Sequence, residues 1–424
     1  MGTGNSSHIS FNTGNISPTL REQAYAGGSF EILQDGHYEG SGVYNNGWNL
    51  APDWTIYFCG HFGSRPLTSK TFTGVNTTLR SYGSNMLTSG SHRQGGVFTF
   101  DEDIVTSRVG ISSISAQKAC QNVNREIPKN ASISSLVTKA QNRWDSEVFS
   151  KVTTSETNTT ILTQLYSYLY GMHLIPSNRT GENALWDSKE PHYDDIFTFW
   201  DLFRWSTPLM HVLQPVAYEE QIRSLIDIWR HEGWLPDARS SDYTGRTQGG
   251  SNADIILADA YVKGVRGRIN WQDGYKAMKR DAEVTPPNNH DPQAPDSSTK
   301  EGRGALPDWL KYGYITPKFS RAVSRAVEYA VDDFGLYQVA KGLNFSSDAA
   351  KYLNRSHYWR NHWNSRQESL NFTGLLAPRY ANGSFEYPYD PLACGGCYWG
   401  DPFYEALPWE YSFNAHHVRQ MYSS

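Results

Sequence analysis

The stretch His192–Thr207 reads HYDDIFTFWDLFRWST and carries six aromatic residues, three aspartates, one histidine and one arginine. Ile196, Phe199, Trp200 and Phe203 recur at helical spacing, which predicts a helix with one buried face. On that helix Asp201 and Arg204 stand three apart and Trp200 and Arg204 four apart, so an acid, a guanidinium and an indole share one neighbourhood. Such a patch suits a polyhydroxylated ligand: carboxylate and guanidinium hydrogen-bond paired hydroxyls while the indole covers the apolar face of a sugar ring. An amphipathic helix closed by an internal salt bridge is the plainer reading of the same spacing, and the rest of the chain decides between them.

Outward from this segment the periodicity divides the chain. From residue 1 to about residue 115 the pattern is that of strands and turns. Trp54, Ile56 and Phe58 alternate with Thr55, Tyr57 and Cys59, and Phe98 and Phe100 alternate with Val97 and Thr99. Glycine turns such as Asn46-Gly47 and Gly83 separate the runs, predicting an antiparallel β-sandwich that starts without an apolar opening strand. After about Ala116 the period becomes helical. Stripes run through Ile133, Leu136, Val137, Ala140, Trp144 and Val148, then Leu162, Leu165, Tyr166 and Leu169, then Ile222, Leu225, Ile226 and Trp229. Ser251 can cap a helix that runs to Gly264, and Ser320 another through Val323, Ala326, Val327 and Ala330. Residues 281–307 are rich in proline and read as a long surface loop. The expected organisation is a β-sandwich domain over 1–115, linker helices over 116–150 and a helical domain over 151–424, built of unequal hairpins that would fit a toroid.

The 424 residues hold 38 lysines and arginines against 43 acids, a net charge of −5, and no basic run interleaves with aromatics. Nucleic acid is therefore an unsuitable partner. No apolar run approaches the roughly 20 residues that span a bilayer, and the opening MGTGNSSHIS lacks the pattern of a secretory signal. Against that stand ten N-x-S/T sequons, at Asn5, Asn15, Asn76, Asn130, Asn158, Asn178, Asn344, Asn354, Asn371 and Asn382. About three would arise by chance from this asparagine content, so the surplus predicts a eukaryotic secreted, secretory-pathway or vacuolar chain. Four cysteines make no disulfide scaffold at this length, yet Cys394 and Cys397 in C-G-G-C predict a local disulfide, and Cys59 and Cys120 lie too far apart in sequence to argue for zinc.

Sharper signals come from five segments: DDIFTFWDLFR (Asp194–Arg204), GGSNADIILADAYVKG (Gly249–Gly264), SRAVSRAVEYAVDDF (Ser320–Phe334), KYLNRSHYWRNHW (Lys351–Trp363) and GDPFYEALPWEYSF (Gly400–Phe413). In that order and spacing, with TSRVGISSISAQKACQN (Thr106–Asn122) upstream, they resemble family 92 of the glycoside hydrolases, the calcium-dependent exo-acting α-mannosidases. The resemblance implies an N-terminal β-sandwich packed on an (α/α)6 toroid with the site between them. It implies single displacement with inversion on mannose-containing glycans, an acid protonating the leaving oxygen and a base activating water about 6.5–9.5 Å away.

The family's general acid falls on Glu405 in EALPWEY, where Ala406 replaces the usual glycine and Glu410 the usual glutamine. A carboxylate at Glu410 would raise the pKa of Glu405 and help keep the acid protonated. Trp200, Asp201 and Arg204 match the family's W-D-x-F-R segment and would bind the sugar. Asn252 and Asp254 sit in the next segment, where pocket lining competes with helix capping; Asp332 and Asp333 are expected to cap or pair structurally. His416 and His417 follow where the family usually shows His-Asp, and adjacent histidines point to different faces, so His416 is the expected contact. In the family's order, the catalytic base and the calcium ligands fall past Ser424. The expectation is thus a chain lacking the start of its sandwich and the C-terminal part of its toroid, an α-1,2-mannosidase impaired when alone. The alternatives are another inverting six-hairpin hydrolase such as a glucosidase, or a non-catalytic carbohydrate-binding remnant.

Overall fold

The computed structural model describes residues 7–12, 25–45, 51–75, 78–83, 87–90, 93–196, 198–287 and 300–414. The chain forms two compact units, Met1–Leu174 with Gly181–Asp187, and Ile175–Thr180 with Ser188–Ser424. Strands come first and helices follow. The Asn46-Gly47 turn and His416 lie outside the described residues.

In the first unit, β1 (Ser7–Asn12), β8 (Arg93–Phe100), β5 (Thr68–Val75) and β6 (Thr78–Gly83) form one antiparallel sheet in that order. The second sheet runs β7 (Leu87–Gly90), β2 (Tyr25–Ile32), β3 (Tyr38–Tyr44), β4 (Trp54–Phe62) and β9 (Ser107–Ser112). Their shared core places Phe30, Ile32, Tyr38 and Phe58 of one sheet against Phe98 and Phe100 of the other, as a sandwich requires. The period-2 pattern of β4 serves both of its faces. Phe58 enters the sandwich core, while Cys59 packs outward against Ala119 and Val123 of α1 (Ala116–Glu126).

That packing also closes a Cys59–Cys120 disulfide across 61 positions, a pairing that spacing alone did not suggest. Closing a loop of this length stabilises by about 4 kcal/mol through the unfolded chain. The predicted local bridge, Cys394–Cys397, is also formed, so none of the four cysteines is free. Helices α2 (Ile133–Glu147) and α3 (Thr159–Met172) group with this unit, so the compact units divide later than the change of periodicity near residue 115. The predicted core stripe on α2 is corrected: no residue within that helix is buried, and Ile133 is 73% exposed. Its Trp144 instead meets the rings of Phe149 and Tyr170.

The second unit opens with the short hairpin of β10 (Ser177–Asn178) and β11 (Tyr193–Asp194). The helix predicted from Ile196 to Phe203 is corrected to a single turn, α4 (Phe199–Leu202), followed by a break and α5 (Ser206–Leu213). Thr198 at φ 136° precedes α4, and Trp205 at φ −134° ends the connection, so no continuous helical backbone passes through. Then come α6 (Pro215–Glu232), the hairpin of β12 (Arg239–Ser240) and β13 (Tyr243–Thr244), α7 (Asn252–Val262), α8 (Trp271–Glu283), α9 (Leu306–Tyr312), α10 (Ala322–Gly342), α11 (Ser346–Arg355), the hairpin of β14 (Trp363–Ser369) and β15 (Phe372–Leu376), and α12 (Pro408–Tyr411).

Helix α10 is the spine of this unit. Its Val323, Ala326, Val327 and Ala330 are fully buried with Trp309 of α9 and Leu376 of β15, and it also contacts α7, α8 and α11. At the α7 crossing a Cβ on Gly335 would stand 2.9 Å from the Ala258 methyl, so glycine permits the approach. Ser251 holds the N-cap position of α7, but its hydroxyl donates to Asp254 Oδ2 at 2.5 Å and makes no cap bond. Ser320 does not cap α10; that position belongs to Arg321, left-handed at φ 54°.

The segment 281–307, expected as a surface loop, is corrected at both ends. Asp281, Arg303 and Leu306 are buried. Arg303 donates to Asp254 Oδ2 at 2.9 Å and to Asp333 Oδ1 at 2.7 Å, and Arg355 and Trp309 donate to Asp333 Oδ2 at 2.9 Å. Buried charge of this kind is tolerated because each cation is paired and hydrogen-bonded. Among the described residues no helix is long and apolar enough to cross a membrane.

Candidate active site

A recess of about 440 Å³, counting the solvent at its open mouth, lies in the second unit. One wall comes from α4 and the turn after it, where Trp200, Asp201 and Arg204 face the opening. The spacing put these three on one helix with an acid–guanidinium pair; the structure pairs Arg204 elsewhere. Its Nη2 donates to Glu328 Oε1 of α10 at 2.8 Å, and the guanidinium stands 4.5 Å over the Phe203 ring. Burial pushes the Glu328 carboxyl above its usual range, and the Arg204 charge opposes that push. Asp201 is exposed and accepts from Thr198 Oγ1 at 2.8 Å.

The floor is the loop leading into α7. Asn252 is fully buried at the lining of the recess, and its Oδ1 has no hydrogen-bond partner, an unsatisfied buried acceptor. Its backbone N–H donates to Asp237 Oδ1 at 3.2 Å, and Gln248 N–H donates to Asp237 Oδ2 at 3.4 Å, so a buried acid shapes the loop. Burial drives the Asp237 pKa up to about 8 against the lowering effect of those N–H groups.

The rim carries Tyr404 and Glu405. Glu405 is exposed and left-handed at φ 62°, a conformation that costs a non-glycine residue of order 1–2 kcal/mol and persists because its surroundings hold it. Its N–H donates to the Cys397 carbonyl at 3.1 Å, and the neighbouring Tyr404 N–H donates to Ser324 Oγ at 3.0 Å. Burial, and then the charge of Glu405, raises the Tyr404 phenol above its usual value. Arg321 ties two linings together: Nε donates to the Gln248 carbonyl at 2.8 Å, Nη1 to the Trp399 carbonyl at 3.0 Å, and the guanidinium stacks 3.9 Å over the Trp399 ring.

The recess therefore brings together Trp200, Asp201, Arg204, Asn252 and Glu405. Glu410 does not join them. Its Oε2 accepts the Leu407 N–H at 2.6 Å and closes the first turn of α12, so the carboxylate is spent on its own helix. Asp254 is locked to Arg303, and Asp332 and Asp333 pair inside the helical packing, Asp333 with Arg303 and Arg355. Sequence reasoning missed Arg321, Glu328 and Asp237. A signal existed for two of them, because Arg321 and Glu328 are charged residues inside the apolar SRAVSRAVEYAV run, and a charge on a buried helix face needs a partner.

Calcium finds no ligand set among the described residues. Asp201 and Glu328 in the recess are engaged separately by Thr198 and Arg204, and the group that does gather, His37, Glu39, Cys59 and Cys120, contains a disulfide.

Residues 118–422 match the glycosyl hydrolase family 92 catalytic domain, and residues 2–112 match the family's N-terminal domain. The chain belongs to glycosyl hydrolase family 92. Both of the family's domain types are represented, so the expectation of a sandwich lacking its start finds no support in these matches. A secreted, uncharacterized glycosidase of Arthroderma benhamiae is 31% identical over 361 residues, covering 81% of this family 92 chain and 41% of that protein. The fold is shared with an inverting family 92 mannosidase of Bacteroides thetaiotaomicron, with a TM-score of 0.79 and 23% identity over 92% of this chain and 51% of that one. A family 92 α-mannosidase of the same organism, solved with mannoimidazole, gives a TM-score of 0.77 at 22% identity over 93% of this chain and 50% of that one. This chain thus spans about half the length of the relatives it matches.

Proposed function

We propose that this chain carries the acid-bearing part of an inverting, exo-acting α-mannosidase that trims terminal mannose, in α-1,2 linkage, from N-glycans in the secretory pathway or outside the cell. The observation that carries the reading is the convergence of Trp200, Asp201, Arg204, Asn252 and Glu405 on one recess, although they come from three separate stretches of chain. Family membership and the mannosidases among its structural neighbours support the substrate class.

Glu405 at the open rim is the general acid and delivers a proton to the departing glycosidic oxygen. The Trp200 indole offers its face to the apolar side of the pyranose, and Asp201 accepts from sugar hydroxyls. Arg204, oriented by buried Glu328, donates to a hydroxyl, and Asn252 Oδ1 accepts one. No general base and no calcium ligand is assigned among the described residues.

The test is Glu405→Gln in the intact protein, assayed on a mannoside with a poor alkyl leaving group and on an activated aryl mannoside. Loss of roughly 10²–10⁴-fold on the first with the second spared is the expected result, because only the first needs protonation. Equal loss on both would remove Glu405 from that role. Release of glucose that survives a chelator would replace the mannosidase reading by a glucosidase.

A further inference from the structure

We propose that the Cys394–Cys397 disulfide is a positioning element for Glu405, so that its reduction selectively slows turnover that depends on proton delivery. The inference rests on the reading of Glu405 as the general acid.

The bridge and the acid are joined through the backbone. Glu405 N–H donates to the carbonyl of Cys397, one of the two bridged residues, at 3.1 Å. The turn enclosed by the bridge is held in an uncommon shape, with Gly395 at φ 79° and Cys397 itself left-handed at φ 52°. Asp401 buttresses it from within: Oδ2 accepts the N–H of Gly396 at 3.0 Å and of Tyr398 at 2.9 Å. The far side of the loop is fixed to α10, where Arg321 N–H donates to the Asp401 carbonyl at 2.7 Å and Val323 N–H to that of Pro402 at 3.0 Å.

Glu405 thus has two anchors, one on the buried start of α10 and one on the bridged turn. The α10 anchor reaches it through Tyr404, whose N–H is held by Ser324. The second anchor depends on Cys397 keeping a backbone conformation that a non-glycine residue leaves when nothing enforces it. With the covalent ring opened, the turn relaxes toward right-handed or extended backbone, the Cys397 carbonyl moves, and the left-handed Glu405 loses the acceptor that defines its orientation. A carboxyl displaced by about 1 Å can lose on the order of 10²-fold in rate.

Chemical access differs between the two bridges. Cys394 and Cys397 are both half-buried and flanked by exposed Gly395, Gly396 and Tyr398, whereas in the other bridge Cys120 is half-buried and Cys59 is fully buried in the first unit. A dithiol therefore reaches Cys394–Cys397 first. Dithiothreitol supplies two electrons and two protons: the S–S bond breaks, two thiols form, and the reagent closes to its own cyclic disulfide.

The experiment treats the intact protein with dithiothreitol under native conditions, counts alkylated cysteines by mass, and runs Cys394→Ser/Cys397→Ser and Glu405→Gln in parallel. With two thiols released, turnover of the poor-leaving-group mannoside should fall at least tenfold. The activated aryl mannoside should stay within about twofold, KM should hold, and reoxidation should restore the rate. The double serine variant should show the same split without responding to dithiol. Unchanged turnover on both substrates, or equal loss on both, overturns the proposal. If Glu405→Gln itself shows no split between the substrates, the acid assignment fails; if it shows the split and reduction does not, the positioning role alone fails.

Discussion

Arg204 Nη2 donates to Glu328 Oε1 at 2.8 Å, joining residues 124 positions apart and turning a guanidinium of the opening motif toward a buried acid of α10. The pair is asymmetric: the Arg204 side chain is 38% exposed and that of Glu328 only 8%. Removing the exposed partner therefore strands the buried one. Arg204→Ala and Glu328→Gln, singly and combined, should give non-additive unfolding free energies in urea, with a coupling between about 0.5 and 3 kcal/mol. Additivity within about 0.3 kcal/mol would mean that the two residues do not act as a unit.

Asp237 makes stability depend on pH. Burial lifts its carboxyl from 3.8 to about 8, and Asp254 beside Arg303 is likewise lifted by burial, to about 6. Between those values and 3.8 the folded chain holds protons that the unfolded chain has released, so the contribution is complete below about pH 4 and is lost as pH rises through 8. The melting temperature should accordingly fall between pH 5 and pH 8, and Asp237→Asn, which cannot ionise, should flatten that fall. An identical slope in the variant would contradict the assignment.

Arg303 is fully buried and donates to Ser251 Oγ, Asp254 and Asp333 at 3.1, 2.9 and 2.7 Å. Arg303→Met leaves the carboxylates without their shared cation and should destabilise by roughly 3–5 kcal/mol in denaturant titration. Lysine should rescue little, because a point charge cannot reproduce the fork that bonds Asp254 and Asp333 at once. A loss below about 1 kcal/mol for methionine would show that the aspartates are neutral without it.

Gly250 sits where the floor loop of the recess passes α10. A Cβ there would stand 2.5 Å from Asp332 Oδ2 and 3.0 Å from the Glu328 Cβ, and Asp332 is fixed by the Ser251 N–H at 3.0 Å. Gly250→Ala should cost about 1–3 kcal/mol and raise KM more than it lowers kcat, since the loop carrying Asn252 must shift. Wild-type KM with wild-type stability would show that the loop yields freely.

Seven sequon asparagines, Asn130, Asn158, Asn178, Asn344, Asn354, Asn371 and Asn382, are exposed. A chain passing through a eukaryotic secretory pathway should carry N-glycans at several of them, read as a mass decrease on treatment with a peptide N-glycosidase. No decrease in material from such a host would remove the support that the sequons lend to a secreted location.

Strands before residue 115 and helices after it were legible because periods of 2 and 3.6 are written in neighbouring residues, and Phe58, Phe98, Ile222 and Leu225 are buried where alternation and stripe placed them. The same local rule failed on α2, whose apolar stripe is real in sequence but buries no residue within the helix, since periodicity states which face can be buried and not what covers it. Glu410 was misread for the opposite reason: a capping bond three residues away takes the carboxylate that sequence comparison would aim at Glu405.

By itself the sequence determined the order of the two domain types and the presence of Trp200, Asp201, Arg204, Asn252 and Glu405 in segments of family 92 character. Tertiary structure alone decided that Arg204 faces Glu328, that Cys59 meets Cys120 across 61 positions, and that a buried Asp237 shapes the recess floor. The reason is physical. Local pattern reports backbone conformation and side-chain polarity, whereas the energy of an ion pair, a disulfide or a buried acid depends on distance and desolvation, and both exist only once α4, α7 and α10 have packed.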